Sequence, residues 1–147
     1  MAKKQFGNPR DYAVKLSQII QDTENAGEGV APYFEKLRDA IDADQVAALP
    51  KTEFEEISAE FDDVVEVYKN AVADIKNLKA PVRLIGVHGN LVNTFTAYYE
   101  ATDAMAKSLN VAEQSIDMTA FEKSEHDQDT LMEEFLKQVR RVMTSVM

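Results

Sequence analysis

Phe54, Ile57, Phe61, Val64, Tyr68, Ala71, Ile75 and Leu78 follow one another in steps of three or four residues. That spacing puts all of them on one face of an α-helix. The same period recurs in three further segments, and an amphipathic helix needs partners to cover its apolar face. Four such helices on 147 residues predict an all-α, up-down antiparallel four-helix bundle forming one domain, residues 1–147, with a kinked first helix.

The first stripe reads Tyr12, Leu16, Ile19, Thr23, Ala26, Val30, Tyr33, Leu37, Ala40. Asn8 and Pro9 supply an N-cap and a first helical residue. Gly27, Gly29 and Pro32 lie inside the stripe and disfavour a helix interior, yet the phase survives them. One helix over roughly residues 9–42, kinked or briefly broken near 27–32, is the reading; two separate helices are the alternative. Residues 43–51 form a connection. Thr52 and Glu55 then fit a capping box for a helix reaching about Lys79. Ala80-Pro81 breaks the chain sharply, so the next helix is expected to pack back antiparallel.

The third helix is expected from about Val82 to Leu109, with the stripe Leu84, His88, Leu91, Phe95, Tyr98, Thr102, Met105, Leu109. The fourth starts near Asp117 or Thr119. It carries Phe121, Glu125, Gln128, Met132, Phe135, Val139, Val142 and Val146, and the first two turns of that seam are mostly polar. No strand-like alternation and no hairpin signal is read anywhere.

Composition narrows the function classes. At 45% hydrophobic the chain has enough apolar surface for a core of its own. It has no cysteine, which removes disulfides, thiolate metal sites and cysteine nucleophiles. Lys and Arg number 16 against 26 Asp and Glu, a net charge of −10, which opposes binding to nucleic acid and to anionic membranes. Arg10, Asp11 and Lys15 interrupt any apolar run behind the basic start, and no stretch approaches a membrane span. The expected location is the cytoplasm, or outside it if the N-terminus has been trimmed. No cofactor is expected.

Two histidines draw attention. His88 lies on the apolar stripe, and antiparallel pairing about Ala80 would bring it near Val72 and Tyr68. His88, Tyr68 and Tyr98 could then line a ligand pocket between helices, or His88 could be a satisfied seam residue. His126 has Glu122 one turn before it and Asp129 about one turn after it, a spacing that can chelate a metal. Ile85 and Lys123 occupy the positions where a di-metal bundle would carry Glu, so no metal site is assigned. The acidic run Glu53, Glu55, Glu56, Glu60, Asp62, Asp63, Glu66 avoids the stripe and reads as a solvated face. No phosphate loop, Gly-x-Ser-x-Gly or His-Glu-x-x-His motif is present, and no catalytic residue is assigned.

The third helix is apolar around much of its girth, with Ile85, Val87, Val92, Ala97, Tyr99, Ala101 and Ala104 beyond its stripe. Such a helix is covered on more than one side, by its own bundle, by a second copy or by a ligand. The leading expectation is a non-enzymatic interaction module that self-associates through this helix, with Val92 and Tyr99 at the interface. A small-ligand-binding bundle is the alternative.

Ile75-Lys-Asn-Leu78-Lys-Ala-Pro81, the six residues before His88, then Leu91 and Tyr98-Tyr99 resemble a pattern found in small all-helical proteins of Gram-positive bacteria. Many of those are envelope lipoproteins of unassigned function. The resemblance spans roughly residues 54–109. It implies a bundle and carries no catalytic residues across. The chain departs from the pattern in having no signal sequence and no cysteine to accept a lipid.

Overall fold

The structure, a computed structural model, describes residues 7–146; the basic start Met1–Phe6 lies outside the described residues. Four α-helices make up nearly all of it: α1 Pro9–Asp42, α2 Lys51–Lys76, α3 Ile85–Lys107 and α4 Met118–Val146. They run up and down through short connections. Each helix packs along the next in sequence, most extensively α3 against α4, and α1 meets α4 only sparsely.

α1 begins as its sequence dictates. The Asn8 side chain accepts hydrogen bonds from the Arg10 and Asp11 amides at 2.8 and 3.2 Å, and Pro9 takes the first helical position. The helix then runs unbroken through Gly27, Gly29 and Pro32, so the two-helix alternative does not hold. Pro32 has no N–H to give the carbonyl one turn earlier, and the stripe's burial carries the helix past it.

The other boundaries differ in detail from the sequence reading. α2 starts at Lys51, and its cap is the Pro50 carbonyl, which accepts from Glu53 and Phe54, rather than a Thr52–Glu55 box. α2 also stops at Lys76, leaving an eight-residue connection whose last turn, Val82–Leu84, is a 3₁₀-helix. At α4 the Asp117 carboxylate caps the Ala120 amide. Between α3 and α4 stands a small hairpin, β1 Leu109–Asn110 and β2 Ser115–Ile116, which corrects the expectation of no strand. Two residues per strand are too few for alternation to register in sequence. Gln114 turns the chain with φ 52°, and its side-chain amide donates to the Val46 and Leu49 carbonyls at 3.0 and 2.7 Å. Both connections at that end of the bundle are thereby tied together.

The four stripes form the core, but as two clusters rather than one. The first gathers Tyr12, Leu16, Tyr68, Ile75, Leu91, Phe95, Phe135 and Val142. The second gathers Leu37, Phe54, Ile57, Phe61, Met105, Leu109 and Phe121. α3 is flanked by α2 and α4, which covers much of its apolar girth within the chain. Among the described residues no helix is long and apolar enough to cross a membrane.

Candidate functional site

Where the two clusters meet, the seam between α1 and α4 stays open. A cavity of about 270 Å³ lies there. Protein interiors rarely leave voids larger than a water molecule, so a space of this size calls for a cause. Small side chains are that cause: Gly27 and Ala31 of α1 and Thr102 of α3 all face it. Val30 and Phe34 of α1 and Phe61 and Val64 of α2 supply apolar walls, with Met105 of α3 between them. A second cavity of about 160 Å³ continues along the same seam past Thr23 and Met132. The two share Gly27, Tyr68 and Tyr98 as a common wall.

That wall is an aromatic pair. The Tyr68 and Tyr98 rings lie 5.4 Å apart, and Phe95 packs on both at 5.8 and 5.6 Å. The two hydroxyls are close enough to influence each other's titration. Burial pushes both phenols above their ordinary range, so both stay protonated at neutral pH. Gly27 makes room for the pair, since a Cβ there would stand 3.3 Å from the Tyr68 oxygen.

The mouth is polar and comes from α4: Glu125, Gln128 and Asp129. Arg38 reaches across from α1 to Glu125 at 3.3 Å and also pairs with Asp42 at 3.2 Å. Among the described residues Asp129 makes no ion pair, and its charge adds to the upward push on Tyr98. The Gln128 amide nitrogen turns to the Met105 sulfur at 3.6 Å. Its amide oxygen is left to accept hydrogen bonds.

Of the three ligand-site residues read from sequence, the structure brings Tyr68 and Tyr98 together at this cavity and places His88 elsewhere. His88 bonds Tyr12, not Tyr68, with the Tyr12 hydroxyl 2.7 Å from Nδ1. The reason is the longer α2–α3 connection, which leaves His88 in the first turn of α3, beside the first turn of α1. Burial holds His88 below its ordinary pKa and lifts Tyr12 to about 12. The bond therefore joins a neutral imidazole to a protonated phenol. His126 is exposed, and no cluster of three or more metal-ligating side chains occurs among the described residues. Val92 and Tyr99 are half-buried and pack against the first core cluster.

Glu125 and Gln128 were legible as seam positions, but their polarity reads from sequence as a weak start to α4. Two polar residues on an otherwise apolar stripe are the sequence signal for a cavity mouth.

Fold and site together define an all-α four-helix bundle with a side-opening cavity between its first and last helices. Comparison with protein families, curated proteins and solved structures gives no match.

Proposed function

We propose that the chain is a small-molecule-binding bundle whose site is the α1–α4 cavity. The observation that carries this reading is an open seam with apolar walls, a fixed tyrosine pair and a polar mouth on one side only. Ligand sites combine these features: an apolar lining that supplies affinity and a few polar groups that set orientation. An apolar cavity of roughly 150 Å³ takes a benzene-sized guest, so this site suits a molecule of one or two rings. Val92 and Tyr99 lean on the chain's own core, which leaves them less surface to offer a second copy.

Ala31 faces the larger cavity and is half-buried. Ala31→Leu fills the space from a helix position that tolerates leucine. With naphthalene as guest, the melting temperature of the parent is expected to rise by mass action while that of the filled variant stays constant. Equal shifts in both proteins, or none in either, would contradict a site at this seam. A mass in solution that is a multiple of one chain, lost on Val92→Glu or Tyr99→Glu, would favour self-association instead.

A further inference from the structure

Resting on that binding reading, we propose that the guest is an organic cation, an arylalkylamine whose ring enters between α1 and α4 and whose ammonium stays at the mouth beside Asp129 and Glu125. Tyrosines aside, every ionisable side chain lining the two cavities is acidic: Glu24, Glu125 and Asp129. No lysine, arginine or histidine lines either one. Arg38 offsets part of the Glu125 charge from outside the lining, but it divides itself between Glu125 and Asp42. The Asp129 carboxylate carries no such partner among the described residues. Gln128 keeps its oxygen free to accept, while its amide nitrogen is turned in part to Met105.

The mouth thus carries net negative charge and free acceptors, and it complements a group that donates and is positive. A carboxylate or phosphate guest would meet like charge from Glu125 and Asp129 with no cationic side chain in the lining to compensate. The walls suit an aromatic guest, since Phe34, Phe61 and Tyr98 line them. The overall charge of −10 draws cations toward the surface as a whole.

The test is calorimetric titration of the full chain with two matched sets: benzylamine, benzyl alcohol and benzoate, then naphthylmethylamine, naphthalenemethanol and naphthoate. The amine of each set is expected to bind about tenfold tighter than its alcohol, as a charge-assisted contact supplies, and the carboxylate weakest. Asp129 is exposed, so Asp129→Asn tests the charge without disturbing the core. That variant is expected to erase the amine's advantage and leave alcohol affinity unchanged. Arg38→Gln, which releases Glu125, is expected to tighten amine binding. Equal affinity for amine and alcohol in the parent overturns the cation assignment and leaves the cavity reading standing. Failure of every compound to bind overturns both.

Discussion

The Tyr68 hydroxyl occupies the space that a side chain at Gly27 would need: a Cβ on Gly27 would lie 3.3 Å from that oxygen. Tyr68 is 5% exposed and packed on Tyr98 and Phe95, so it has little freedom to give way. A glycine that costs α1 helical stability is therefore what allows an α2 tyrosine to reach the α1–α4 seam.

Gly27 and Gly29 should respond differently to the same change. Glycine to alanine in a helix interior gains ~1 kcal/mol. Nothing lies within 4 Å of a Cβ at Gly29, so Gly29→Ala should realise most of that gain in urea denaturation. Gly27→Ala should gain clearly less or lose stability, because its methyl presses on Tyr68. Equal gains at both positions would show that the Tyr68 hydroxyl is not held where the packing places it.

The Tyr12–His88 pair should make stability depend on pH with a definite sign. His88 has a lowered pKa in the fold and an ordinary value of 6.5 when unfolded. Its contribution is complete above pH 6.5 and is lost as pH falls through the lowered folded value. Protonation places a charge on a half-buried ring, which burial disfavours. The stability advantage of the parent over His88→Gln should shrink as pH drops below 6.5. Denaturant titrations of both proteins across that range check it, and a constant difference would count against the neutral imidazole.

Gln114 joins two connections, and its backbone carries a φ of 52°. Gln114→Ala loses the hydrogen bonds to Val46 and Leu49 and keeps the unfavourable backbone, at a cost of about 1–2 kcal/mol. Gln114→Gly loses the same bonds but adopts that backbone freely, so it should be less destabilised than the alanine variant. Chemical denaturation of the pair separates the side-chain and backbone contributions. The reverse order would place no strain at Gln114.

Helices and stripes were legible because a three–four period is local, and nearly every aromatic on a stripe is buried. What lay beyond reach depends on how helices line up. His88 pairs with Tyr12 because α2 ends at Lys76 and a longer connection follows, and no local signal marks where a helix stops three residues short. The Pro50 cap and the two-residue strands have equally slight signatures. The cavity is half legible: the stripes carry Tyr68 and Tyr98 toward a common pocket, and the seam of α4 is visibly polar. Placing Gly27, Ala31, Thr102 and Gln128 at one level requires the register of three helices at once. The expectation that α3 seeks a second copy arose from its apolar girth, which α2 and α4 largely cover within the chain.

Central to this account is a small molecule seated between α1 and α4. The most direct measurement is a set of intermolecular nuclear Overhauser effects between bound naphthylmethylamine and the methyl-labelled, aromatic-labelled chain. Contacts are expected from the guest's ring to the Val30 and Met105 methyls and to the Tyr98 ring, with its methylene near α4 at Gln128. Contacts confined to exposed apolar residues such as Val14, Val82 or Ile85, or no contacts at saturation, would contradict it.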